Sequence, residues 1–145
     1  VDVEVRGIGV VLATLRKVAE VDPRGVLEEI GMAIHRRVLE GFEHQSDPWG
    51  RPWKPLSPET IEKKRSSRIL EDTGRLRQSF AWRLLGRDAV VVGTNVEYAL
   101  FHQYGTRRGL PKRPMLPLDE HGVHLPGEWM KEIERILERH YGFPD

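Results

Sequence analysis

At 145 residues the chain has the length of one ordinary domain, enough to bury a core and too little for two. Its 23 Lys and Arg against 22 Asp and Glu leave a formal charge of +1, so no whole-molecule field steers it onto nucleic acid and any basic function must be local. The lack of cysteine excludes disulfide frameworks, thiolate nucleophiles and Cys-type zinc sites.

Residues 3–5, VEV, alternate and predict a short edge strand ended by Gly7. From Ile8 onward, Val11, Leu12, Leu15, Val18 and Ala19 recur at three- and four-residue steps, which predicts a helix with one buried face. Asp22 and Pro23 pair a cap with a first-turn proline and predict that a second helix starts there. Its apolar stripe is Val26, Leu27, Ile30, Ile34, Val38 and Phe42, and it runs to Glu43 or His44.

Residues 44–72, HQSDPWGRPWKPLSPETIEKKRSSRILED, change character, being rich in Pro, Gly, Ser and charge. A connection this long inside a compact domain is usually functional or mobile, and it reads as either a docking arm or a segment that is disordered when alone. Trp49 and Trp53 are its only large apolar groups before Leu56, and they have the chemistry of anchors on a partner; the alternative is that they fold back on their own domain. Ser57, Pro58 and Glu59 predict a short helix reaching about Lys64.

Asp72 or Thr73 caps a turn that brings Leu76 and Phe80 to one face. Residues 79–85 alternate, Gly86, Arg87 and Asp88 supply turn chemistry, and residues 89–92 are a β-branched run, together predicting a β-hairpin. In VGTNVEYALFHQYGT, residues 92–106, Asn95 is the expected cap and Gly105 the expected left-handed stop of a short helix. Tyr98, Phe101 and His102 share one side of it, and with Gln103 and Tyr104 they are expected to pack the core rather than form a catalytic cluster. The prolines of PMLPLD confine it to an edge or an extended arm. A last helix from Glu128 to Tyr141 carries Trp129, Ile133, Ile136, Leu137 and Tyr141 as its buried stripe. Glu128 with Lys131, and Glu132 with Arg135, are its expected surface pairs, and Gly142 its stop. The expected class is α+β: long N-terminal helices and a C-terminal helix on a small antiparallel sheet.

Candidate chemistry is sparse. His121 and His124 beside Asp119 and Glu120 have ligand chemistry, but nothing supplies the remaining ligands of a closed site, so neither metal nor cofactor is expected. Lys63, Lys64, Arg65 and Arg68, and then Arg107, Arg108, Lys112 and Arg113, are the local basic clusters. They suit weak, non-specific contact with a DNA backbone, and a nucleic-acid-binding module is the alternative function. No nucleophile elbow, HExxH pair, P-loop or dinucleotide glycine pattern occurs, so no enzyme is expected. No apolar run reaches the length of a bilayer span and the first residues lack a secretory pattern, so no membrane association is expected.

The ordered blocks DPWGRPWKPLSPET, ILEDTGRLRQSF, VVVGTNVEYALFHQYGT and KRPMLPL, with the opening VEVRGIGVVLATL, resemble the phage virion morphogenesis family, the tail completion proteins similar to the G protein of phage Mu. The resemblance implies a non-catalytic structural protein of the virion, assembled in the host cytoplasm, that completes the tail or joins head to tail. It implies a ring-like homo-oligomer, with a hexamer as the expectation, meeting other tail and neck proteins. A ring uses heterologous contacts, with the arm of one subunit against a different patch of the next. Trp49, Trp53, Arg107, Arg108, Lys112 and Arg113 are the expected partner-facing residues, and deletion of residues 46–56 is expected to leave a folded monomer.

Overall fold

Two strands open the chain. β1 (Asp2–Val5) and β2 (Gly9–Ala13) run antiparallel, with Val3 opposite Leu12 and Val5 opposite Val10. β2 then pairs with β4 (Ala89–Gly93), and β4 with β3 (Ala81–Leu85), giving an antiparallel sheet in the order β1-β2-β4-β3. The computed structural model describes residues 2–5, 9–13, 22–56 and 74–142. The edge strand expected at residues 3–5 is present, and the hairpin expected on either side of Gly86 is β3 and β4.

The helix expected from Ile8 is corrected at its start, where residues 9–13 form a strand. Val10, Val11 and Leu12 are a continuous apolar run, which satisfies helical spacing by accident; β-branched residues between two partner strands favour the extended form. The rest of that expected helix, and the helix expected at residues 57–64, lie outside the described residues.

α1 (Arg24–His44) carries the expected stripe, and Val26, Leu27, Ile30, Ile34, Val38 and Phe42 are all buried. Pro23 holds the capping position, while Asp22 accepts from the Arg24 backbone N–H at 3.1 Å and from its guanidinium at 2.6 Å. The side-chain hydrogen bond from Arg24 holds the Asp22 carboxyl down at about 2. α1 lies across β3 and β4. The crossing is close at Gly31, where a Cβ would stand 2.8 Å from Val90 Cγ2 and 3.2 Å from Trp82, so a side chain there forces helix and sheet apart. At the far end of the helix Phe42 meets Trp53 edge-on at 5.4 Å and Phe80 at 5.7 Å.

α2 (Arg75–Ser79) is a single turn that seats Leu76 and Phe80 in this core, as their spacing predicts. α3 (Ala99–Tyr104) follows β4, and a two-stranded ribbon, β5 (Leu118–Asp119) and β6 (Gly122–Val123), precedes α4 (Gly127–Tyr141). α4 buries Trp129, Ile133 and Ile136 and packs on α1, and Gly142 closes it. Glu128 pairs with Lys131 at 3.6 Å as expected. Glu132 does not pair with Arg135: it faces α1, where Arg36 and Arg37 each reach it at 2.6 Å. Burial by itself would raise the Glu132 pKa, but the hydrogen bonds from Arg36 and then Arg37 outweigh it and hold the carboxyl below its ordinary value. Glu29 ties the same two helices by bonding Arg139 and, at 2.6 Å, His140.

Candidate interaction surface

The connection after α1 does not stand away from the body over residues 45–56. Gln45 takes the left-handed conformation that ends α1, and Ser46 N–H donates back to Gly41 O at 3.0 Å. Asp47, nearly buried, accepts from the backbone N–H groups of Trp49 at 3.0 Å and Arg51 at 2.9 Å, which curls the chain into a tight loop. Trp53 then enters the core at 4 % exposure and its indole N–H donates to Pro114 O at 2.8 Å.

Trp53 as an anchor for another molecule is therefore corrected, because Phe42 and Pro114 already satisfy both its apolar face and its polar atom. Trp49 is half-buried, donates to His124 O at 2.8 Å and carries the Arg51 guanidinium 5.4 Å from its ring centre. Deletion of residues 46–56, expected to leave a folded monomer that forms no ring, removes a core indole and so strikes the fold itself.

The second group of candidate residues follows α3. Asn95 is exposed and does not cap it; Thr94 Oγ1 accepts from Val96 N–H at 3.1 Å, and Tyr98 holds the capping position. The buried residues of α3 are Ala99 and Gln103, and Tyr98 and Tyr104 pack against the core as expected, while Phe101, 55 % exposed, is the member of the expected stripe that turns outward. Gln103 is the tie. Its Nε2 donates to Leu116 O at 2.8 Å and Leu118 O at 2.9 Å, and its Oε1 accepts from Met115 N–H at 2.9 Å and Leu116 N–H at 3.0 Å. All the hydrogen-bonding directions of one amide are used to hold the buried PMLPL segment against α3. Nothing in the periodicity separates Gln103 from its aromatic neighbours; the available signal is a polar residue at a helical step from Ala99.

Gly105 ends α3 with φ 75° and ψ 176°, a region open to glycine, rather than in the expected left-handed helical form. Its missing side chain lets the following loop fold back, since a Cβ there would lie 3.1 Å from Leu110 O and 3.2 Å from Lys112 N. The loop is closed by Thr106 N–H to Leu110 O at 3.0 Å and Leu110 N–H to Thr106 Oγ1 at 3.2 Å. It presents Arg107, Arg108 and Lys112 as exposed cations, none of them ion-paired among the described residues.

Arg113 is corrected out of this basic group. It is 5 % exposed, its guanidinium donates to Lys54 O at 2.8 Å and Pro55 O at 3.3 Å, and burial lowers its pKa. The cluster of Lys63, Lys64, Arg65 and Arg68 lies outside the described residues.

At the β5–β6 turn, His124 Nε2 stands 3.1 Å from Asp119 Oδ1, and Asp119 also accepts from His121 N–H at 2.7 Å. No group of three or more His, Asp or Glu able to hold a metal is found among the described residues. None of the described helices is long and apolar enough to cross a membrane.

No curated protein and no solved structure matches the chain. A model of the phage virion morphogenesis family matches residues 3–141, from the first strand to the end of α4. With the sheet, both long helices and the Gln103-tied segment all inside that match, the chain belongs to the phage virion morphogenesis family.

Proposed function

We propose that this protein completes the virion tail, or joins it to the head, by forming an oligomer rather than by catalysis. The carrying observation is the family match over residues 3–141, which makes virion assembly the setting of the whole fold rather than of one motif. A ring, with a hexamer as the working number, presents one surface to copies of itself and another to neighbouring tail and neck proteins, in the virion and during assembly in the host cytoplasm. The surface of α3 and its following loop suits such a role, being cationic and apolar at once and held in shape by Gln103 and Gly105.

Electron microscopy of particles made without this protein tests the reading. Tailless heads beside headless tails are expected if it joins the two, and tails of aberrant length or end structure if it completes them. Particles of normal form and infectivity would refute it.

A further inference from the structure

The fold adds Lys54 to the basic surface, although it stands 59 residues from Arg113 in the sequence. The Arg113 guanidinium donates to Lys54 O and Pro55 O, and the Trp53 indole donates to Pro114 O, so these two stretches lie side by side at the foot of the 106–112 loop, with Lys54 exposed. Residues 53–56 and 98–118 hold Lys54, Arg107, Arg108, Lys112 and Arg113 and no Asp or Glu. None of the five is ion-paired among the described residues. Arg113 is buried, but against carbonyl oxygens rather than a carboxylate, so its charge is not cancelled. With these uncompensated cations gathered in one unit and a formal charge of only +1 over the whole chain, the rest of the molecule is net acidic. A polyanion is drawn to this unit and repelled elsewhere.

The loop is also held in shape before any ligand arrives. Thr106 and Leu110 close it through two hydrogen bonds, and Arg113 N–H donates to His102 O at 2.7 Å, which pins its end to α3. Gly109 N–H donates to Thr106 O at 3.3 Å, so Arg107 and Arg108 occupy the two central positions of a turn. Little backbone entropy remains to be lost when they meet a ligand.

Duplex DNA presents one negative charge per about 1.7 Å of its axis, and the guanidinium fork suits phosphate oxygens. A turn offers neither a helix nor a strand to a groove, so the contact reads no sequence. Virion morphogenesis, the setting of the family, supplies the polyanion, since a virion packages nucleic acid. We infer that Lys54, Arg107, Arg108 and Lys112, with Arg113 behind them, form a sequence-independent contact for the phosphate backbone of duplex DNA. Leu100 and Phe101 on α3 offer nothing to phosphate and are no part of it. The contact rests on the family's setting rather than on the oligomer reading, because one copy of the chain is enough to make it.

Fluorescence anisotropy of the full chain with random-sequence duplexes of about 20 base pairs tests the contact. Four exposed cations predict a slope of about −3.6 for the logarithm of affinity against the logarithm of salt, so binding falls by about a hundredfold between about 50 and about 200 mM, alike for unrelated sequences. Arg107→Gln, Arg108→Gln and Lys112→Gln together are expected to leave a slope of about −1, and Lys54→Gln alone a slope of about −2.7. Thermal melts of these variants are expected to match the parent, since all four side chains are exposed and unpaired. No binding at about 50 mM salt, or a triple variant with the parent's slope, overturns the inference. A Lys54→Gln variant with the parent's slope overturns the two-segment site. Tighter binding of poly-glutamate than of the duplex, lost in the triple variant, assigns the surface to an acidic protein and overturns the inference as well. Each of these failures leaves the tail reading standing, because that is judged on the form of the particles.

Discussion

Replacing Gln103 by Met keeps most of the side-chain volume and removes every polar atom of the amide. In the folded protein that breaks four hydrogen bonds and strands three backbone groups in a fully buried site, the N–H of Met115 and of Leu116 and the C=O of Leu118, while Leu116 C=O keeps the Leu118 N–H at 2.7 Å. At about 1 kcal/mol net per hydrogen bond the loss is about 4 kcal/mol, and stranded buried groups push it upward. Against a total stability of about 5–15 kcal/mol this is a large fraction, and for a chain of this size it lowers Tm by about 8–16 °C. Urea titration followed by circular dichroism reads the change as a lower midpoint with an unchanged slope. Gln103→Glu sharpens the test. Its acid form still donates to one carbonyl, whereas its ionised form is buried facing two carbonyl oxygens, so the folded pKa is raised above the unfolded one. The variant is therefore most stable below the ordinary value of about 4.3 and weakens as pH rises through the folded value. A loss under about 1 kcal/mol for Gln103→Met, with no pH dependence for Gln103→Glu, would refute the role given to this amide.

Trp53→Ala is expected to cost about 3–5 kcal/mol and Trp49→Ala about 1 kcal/mol, because one indole is in the core and the other is half-buried with a single hydrogen bond; equal losses in urea titration would contradict this. Gly105→Ala forces a side chain into a glycine-only region and within 3.1 Å of Leu110 O, for about 1–3 kcal/mol, and an unchanged urea midpoint counts against it. Glu132→Gln is expected to cost about 1 kcal/mol at neutral pH, discounted for the exposure of Arg36. Since the folded pKa of Glu132 lies below its unfolded value, its contribution is present above about pH 4.3 and lost as pH falls through the folded value, so variant and parent converge in acid. A gap that persists below the folded value would show that the charge is not the source.

The parts of the fold legible from residue spacing are those where one period ran long enough to exclude the other. α1 and α4 show several turns of helical recurrence, and the β3–β4 hairpin has alternation, a turn and a β-branched run in sequence. β2 is illegible by spacing because three adjacent apolar residues fit either period, and the deciding factor, two flanking strands, is a tertiary fact. The interaction surface failed in a related way. Trp53 and Arg113 look like exposed groups in polar surroundings, yet each satisfies the other's segment: Trp53 donates to Pro114 O, and Arg113 donates back to Lys54 O and Pro55 O. Two proline-rich stretches about sixty residues apart are thus one unit. Proline supplies no N–H for a regular ladder, so these stretches are joined instead through side-chain donors to backbone carbonyls, a pattern that neither helical nor strand periodicity can register. That shared unit turns Arg113 inward at the foot of the loop that carries Arg107, Arg108 and Lys112, while those three side chains, like Leu100 and Phe101 on α3, are exposed.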